Sequence, residues 1–377
     1  MKKNRRDFLK VSTLAGLGIG VGAATAKGIG SGDDPLSTGS ARSQRFNISG
    51  YSAPKLDTVR LGFIGLGQRG PGHVVRSSKI DKVEINGLCD VRPEKVDATL
   101  KRIEGTGHKP ALYSGDENAW KKMCDRNDID LVYISSPWHL HVPMAVYAMK
   151  QGKHVAIEVP GVITMEECWE IVETSESTRK HCMYLENCCY DFFEMLTLNM
   201  ARQGFFGEIV HAEGAYIHTL IDLNFKKDGY WEMWRLKENY RGNGNLYPGH
   251  GLGPISQVMN INRGDKMDYL VSLSGNDFTM SDRAKELAAQ DDFYASFVGK
   301  PYRGNMNITS IRTNSGRTIM LQHDVSSPRV YSRLHLISGT KGAAQKYPLP
   351  GRISTGHKDW LTEAELKSLE EKYQPEI

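Results

Sequence analysis

The chain has 377 residues, enough for two domains that each bury their own core. Its 40% hydrophobic and 24% charged content, with 38 glycines scattered rather than periodic, excludes a disordered or fibrous chain. Lysines and arginines number 48 against 44 acidic residues, a formal charge of +4, and with no basic stripe beyond the N-terminus nucleic acid is excluded as a partner.

In chain order, Asn4-Arg5-Arg6-Asp7-Phe8-Leu9-Lys10 comes first, followed from Val11 to Ala26 by a Gly- and Ala-rich, weakly apolar stretch. That stretch is too short and too weakly apolar to be a stable membrane anchor. Paired arginines followed by Phe-Leu-Lys resemble the twin-arginine export signal, a route that carries folded proteins. Residues 1–26 are therefore read as a signal peptide, with the twin-arginine machinery as a partner and a periplasmic or otherwise exported location. Residues 27–56, rich in Gly, Ser and Asp without periodicity, read as a linker. The six cysteines form no C-x-x-C pair, so no metal site is expected, and the adjacent Cys188 and Cys189 would be strained partners.

From Thr58 to Ile64 the sequence is β-rich, and Gly65-Leu66-Gly67-Gln68-Arg69-Gly70 follows before a segment of helical spacing. This is G-x-G-x-x-G between a strand and a helix, the dinucleotide fingerprint. Gly65 allows the tight turn, Gly67 lets backbone N–H groups approach a pyrophosphate, and Gly70 lets the helix pack close to the strand. A second strand, Val83 to Cys89, ends in Asp90, twenty positions past Gly70, where a carboxylate binds the ribose hydroxyls and repels a 2′-phosphate. NAD is thus favoured over NADP, with Arg92 as a mild counter-signal. A third run, Ile129 to Ser135, leads into Pro137-Trp138-His139-Leu140-His141 and a helix to about Gln151; a fourth, Lys153 to Ile157, ends at Glu158-Val159-Pro160. Residues 57–186 therefore form a Rossmann domain, a doubly wound parallel sheet with Trp138, His141 and Glu158 aimed at one crevice.

After Asn187 the pattern becomes alternating: Ile209 to Ile217, Tyr269 to Leu273, Asn305 to Thr313, Arg317 to His323 and Ser332 to Ser338 read as strands buried on one face. Residues 187–350 become an α+β substrate and oligomerisation domain around a largely antiparallel, open-faced sheet, whose free face suggests a homo-oligomer. Residues 351–377 are read as a C-terminal helical segment. Between the strands, Arg241 to Pro254 is a Gly-rich loop opening a helix through Met259, and its Tyr247 and His250, three apart across Pro248-Gly249, can converge on one substrate face.

The nucleotide loop, SSPWHLH and EVP in this order resemble the Gfo/Idh/MocA sugar oxidoreductases, and the segments GLGQRG, EVPGVITMEECWE, LENCCY, GEIVHAEGAY, YPGHGLGP and LQHDVSSPRVY resemble its exported branch, glycoside hydrolase family 109. The resemblance runs from about residue 59 to 345. It implies an α-N-acetylgalactosaminidase with NAD contacted by Gln68, Arg69, Asp90, Trp138, His139, Leu140, His141, Glu158, Val159 and Asn187. It implies sugar contacts at Tyr216, Arg235, Tyr247, Pro248, Gly249, His250 and Tyr331. Most Gfo/Idh/MocA members carry Lys where this chain has Val159, and Val can neither donate nor accept a proton. The family also continues beyond a helix like Leu361 to Lys372, so the chain is expected to be a shortened version.

In dehydrogenase relatives this loop supplies a histidine base, which implies that role for His250; Tyr247 and Tyr190 are the further catalytic candidates. The implied chemistry is oxidation of the sugar C3 hydroxyl, loss of the acidified C2 proton, elimination at C1, addition of water, and reduction at C3, so that NAD is regenerated each turnover. Two other readings stand beside it: a periplasmic NAD(P)-dependent sugar oxidoreductase, and a non-catalytic sugar-binding protein with structural NAD.

Overall fold

A computed structural model describes residues 46–375. The paired arginines, the signal stretch and most of the linker lie outside these residues.

The first sheet contains β1 (Val59–Ile64), β2 (Val83–Cys89), β3 (Ala111–Tyr113), β4 (Leu131–Ile134), β5 (His154–Ile157) and β6 (Cys182–Tyr184). All pair in parallel, in the order β3-β2-β1-β4-β5-β6. The strand order reverses between β1 and β4, which opens the ligand crevice of a doubly wound sheet at their carboxyl ends. Each face carries its own apolar layer: Leu61, Phe63, Leu88 and Val74 on one, Ile64, Val132, Ile157 and Met149 on the other. Helix Met165–Thr178 opens with a capping box in which Thr164 and Glu167 satisfy each other's backbone N–H groups.

The second sheet contains β7 (Ile209–Ile217), β8 (Met267–Ser274), β9 (Asn307–Thr313), β10 (Thr318–Asp324), β11 (His335–Gly339), β12 (Ala343–Lys346) and β13 (Arg352–Ser354), ordered β13-β12-β11-β7-β10-β9-β8. It is mixed rather than uniformly antiparallel, because β10 runs parallel to β7. Helices Phe192–Arg202, Gly249–Val258 and Glu363–Tyr373 cover one face around Leu196, Ile255, Ile319, Ile337 and Tyr373. The opposite face stays open, as the strict alternation of buried and exposed residues along β9 shows. On edge strand β8, Tyr269, Leu270, Val271 and Leu273 are exposed.

The expectation of a separate C-terminal segment needs correcting. Arg352–Ser354 extends the sheet as β13, and the following helix sends Tyr373 into the same core, so residues past 350 continue the second domain. Among the described residues all six cysteines are free, and no helix is long and apolar enough to cross a membrane.

A third apolar cluster joins the two domains, with Trp138 and Val159 from the first packed against Tyr216, Leu236 and Tyr247 from the second. Gln68 of the glycine turn adds a hydrogen bond from Nε2 to the Gly229 carbonyl at 2.7 Å.

Candidate active site

A cleft of about 1040 Å³ runs from the carboxyl ends of β1, β4 and β5 to the loops and strand ends of the second domain. At its Rossmann end, Gly65 has φ +88°, and a Cβ there would lie 2.6 Å from the Ser135 backbone. A Cβ on Gly70 would lie 2.0 Å from the Gly65 carbonyl oxygen, so helix Gly70–Ser77 closes on the turn only with glycine there. At Gly67 the nearest atom to such a Cβ would be Arg92 Nη2 at 3.6 Å, which leaves that part of the turn facing open space. Asp90 is buried, accepting from Leu66 N at 2.8 Å and from Arg92 N and Nε at 3.0 Å. Arg92 stacks over Trp231 at 5.1 Å and is held on Asp90.

Glu158 accepts from His73 Nε2 at 2.7 Å, while Arg76 donates to His73 Nδ1 at 2.8 Å. An arginine can only donate, so the ring proton of His73 sits on the nitrogen facing Glu158. Burial, the largest single influence, opposes ionisation of Glu158, but the His73 bond and charge, the Val159 N–H and Arg69 together hold the carboxyl below its ordinary value.

At the other end stands His250, buried near the start of helix Gly249–Val258. Its Nδ1 lies 2.6 Å from Glu186 Oε1, so the carboxylate fixes the proton on Nδ1 and leaves Nε2 as acceptor. Glycines bring these groups together. A Cβ on Gly249 would lie 2.8 Å from Glu186 Oε2, and one on Gly253 would lie 2.9 Å from Glu186 Cγ. On the adjacent face, a Cβ on Gly251 would lie 2.8 Å from Ala215 N, so the helix backbone lies directly on β7 and His250 comes to 5.0 Å from the Tyr216 ring. Burial lowers the His250 pKa; Glu186 opposes that shift, and Arg333 and Arg235 add to it. The imidazole is therefore neutral and basic at neutral pH, as a proton acceptor requires.

Glu186, Cys188 and His250 lie within 4.8 Å of one another, the one such triplet among the described residues. The short Glu186–His250 bond occupies the nitrogen a metal would need, and Arg333 Nη1 donates to Cys188 Sγ at 3.9 Å, which opposes a cation. The cluster is an oriented base.

Aromatic rings form the walls. Tyr216 stacks on Tyr247 at 4.9 Å, and Arg235 lies over the Tyr247 ring at 4.9 Å and the Trp138 ring at 5.3 Å. Tyr247 donates its hydroxyl to the Val159 carbonyl at 2.9 Å, and burial, against Arg235, pushes its phenol up to about 12.

Residues 59–186 match the oxidoreductase family with an NAD-binding Rossmann fold, and residues 190–374 match the glycosyl hydrolase 109 C-terminal domain. Over 308 residues the chain is 50% identical to the alpha-N-acetylgalactosaminidase of Bacteroides fragilis, an alignment covering 81% of this chain and 72% of that protein. The same overlap and identity hold for glycosyl hydrolase family 109 protein 2 of Bacteroides fragilis. This chain belongs to glycosyl hydrolase family 109.

It spans 62% of the length of another family 109 relative, protein 1 of Phocaeicola vulgatus, at 49% identity over 79% of this chain. The fold is shared with levoglucosan dehydrogenase, solved with NADH and levoglucosan, at TM-score 0.63 and 18% identity over 81% of this chain and 79% of that one. Within this family 109 chain the residues fit NAD: the open face at Gly67 is a cradle that a side chain would fill, and the Asp90 carboxylate stands beside the same turn.

Gly65, Gly67, Gln68, Arg69, Asp90, Trp138, His139, Leu140, His141, Glu158, Val159, Tyr216, Arg235, Tyr247 and His250 all line the cleft. Others do not. Gly70, Asn187, Pro248 and Gly249 are not part of the lining, and Asn187 is exposed. Tyr331 is half-exposed, and the structure connects it to the cleft through a 2.7 Å bond accepted from Arg333 Nε. Tyr190 is 58% exposed and off the cleft, because the single turn Asn187–Tyr190 sends Cys188 inward and Tyr190 outward. His141 lines the cleft with its ring only, since its nitrogens face the Pro160 and Ser136 carbonyls at 2.9 and 2.8 Å. Sequence reasoning missed Glu186, His73 and Arg333. Of these, Glu186 carried a usable signal, as an acid two residues past a parallel strand's carboxyl end.

Proposed function

We propose that the chain is an exported glycosidase that cleaves α-N-acetylgalactosaminides and regenerates NAD each turnover. The observation that carries this reading is a buried, neutral His250, oriented by Glu186, in the same cleft as the glycine turn and Asp90. NAD, when bound, would supply a hydride acceptor for a sugar hydroxyl carbon and return that hydride afterwards.

His250 Nε2 takes the hydroxyl proton, and Glu186 stabilises the imidazolium that results. Where a lysine ammonium stands in most Gfo/Idh/MocA members, Val159 belongs to an apolar wall with Trp138 and Tyr247, so hydroxyl deprotonation falls to His250. Tyr247 keeps its proton at neutral pH and shapes the pocket through its ring. Arg235 and Tyr216 give the cleft wall a guanidinium and a ring face suited to a sugar. The held Arg92 is unavailable to a 2′-phosphate, which supports NAD over NADP.

Incubation with an aryl α-N-acetylgalactosaminide in deuterated water tests the scheme. Aglycone release with deuterium at C2 of the free sugar is expected. Release without exchange rules out elimination, an oxidised lactone points to a sugar oxidoreductase, and binding without product points to a lectin-like protein. Arg5-Arg6 supports the export reading, and replacing both by lysine is expected to hold the activity in the cytoplasmic fraction of a fractionated host.

A further inference from the structure

Arg333 has no part in the sequence reading, yet it is buried in the cleft lining. Its guanidinium lies over the Tyr216 ring at 4.3 Å, its Nε donates to Tyr331 Oη at 2.7 Å, and its Nη1 donates to Cys188 Sγ at 3.9 Å. No carboxylate pairs with it among the described residues, and Nη2 has no protein partner there. A buried cation without a counter-charge is costly. The same Cys188 Sγ lies 3.6 Å from His250 Nδ1, so cation and base share one neighbour.

We propose that Arg333 holds the negative charge that forms on the sugar oxygen when His250 removes its proton. The inference rests on the glycosidase reading. In this step the sugar O–H bond breaks, an N–H bond forms at His250 Nε2, and the electron pair stays on oxygen. The imidazolium then faces Glu186 and the oxyanion faces Arg333, so each new charge meets its opposite. Arg235 is less suited, since three aromatic rings enclose it and its terminal donors point to Tyr230 and Tyr216.

Arg333 also sets the basicity of His250. The ionisable groups facing that imidazole are Glu186 and Cys188 after β6, Tyr216 and His218 on or beside β7, Tyr247 on its own loop, and the two arginines. Of these Arg333 and Arg235 disfavour the imidazolium, and Glu186 favours it.

The test compares Arg333→Met and Arg333→Lys with wild type in the NAD-loaded protein. Arg333→Met is expected to lower kcat for the aryl glycoside by roughly 10²–10³-fold with little change in KM. Its acid limb is expected to move to higher pH, while Arg333→Lys keeps the wild-type limb and part of the rate. Loss of thermal stability or NAD content with an unmoved limb would mean that Arg333 only supports the fold, and overturns the proposal. NMR titration of His250 in histidine-labelled protein needs no turnover: its pKa is expected to rise in Arg333→Met, and an unchanged value overturns the coupling even if wild type proves not to be a glycosidase. Arg333→Gln keeps the polar contacts and serves the same comparison should the methionine variant not fold.

Discussion

A histidine becomes a base here through three choices of neighbour. Burial removes the solvation of the imidazolium, Glu186 restores part of it and fixes the ring proton on Nδ1, and the arginines keep the ring neutral until substrate offers a proton. Glu186→Gln should therefore lower kcat by roughly 10²–10⁴-fold while leaving NAD content unchanged. Because the carboxylate favours protonated His250, its loss should move the acid limb of the rate profile to lower pH, opposite in sign to the shift expected for Arg333→Met. A titration of kcat/KM against pH in both variants reads the two signs. The residues of this site divide cleanly by how far the sequence could show them. His250, Tyr247, Asp90 and the glycine turn sit in local motifs, where spacing alone implies a job. Glu186 is 64 positions from His250, and only the stacking of helix Gly249–Val258 on β7 and on the segment after β6 makes them a pair.

The loop that carries Tyr247 and His250 is itself held from outside. Arg303, fully buried, donates from Nη1 to the Gly244 carbonyl at 2.8 Å and from Nη2 to the Gly242 carbonyl at 3.1 Å. A Gly-rich segment loses much entropy on ordering, and this clamp supplies the enthalpy that opposes it. Arg303→Met should leave two carbonyls without their partner and lower unfolding free energy by about 2–4 kcal/mol, read as a lower urea midpoint. The same variant should raise KM more than it lowers kcat, because it loosens the pocket wall and spares the Glu186–His250 pair. In the parallel domain β1, β2, β4 and β5 were legible, since their buried runs stand out and helices separate them, whereas β3 and β6, three residues each, were not. The second sheet was legible as strands but not as a sheet: alternation reveals which face is buried and says nothing of neighbour direction, so the parallel β7–β10 pair was hidden. Strands β12 and β13, four and three residues long, are too short for any period to show.

At the scale of the whole molecule, both domains close over buried imidazoles, and this ties stability to pH. Burial lowers the pKa of His141 and takes His323 well below the usual value; it takes His335, beside Lys346, down to about 3. In the unfolded chain each titrates near 6.5. Between 6.5 and the folded values the unfolded state binds protons that the folded state refuses, so this stability is fully present above pH 6.5 and is lost as pH falls. At pH 5 His335 alone accounts for roughly 2 kcal/mol of lost stability, a large share of the ~5–15 kcal/mol that a folded domain holds, and His141 and His323 act in the same direction. Urea midpoints should therefore fall steeply from pH 7 to pH 5. The three are not equivalent. His141 faces two carbonyls and so has acceptors ready for both ring protons, whereas the Nδ1 of His335 has no partner and its ring lies near the Lys346 ammonium. His335→Asn should consequently flatten the pH slope, and His141→Asn should flatten it less. Equal slopes in the two variants would show that the carbonyl pair around His141 gives its imidazolium no advantage.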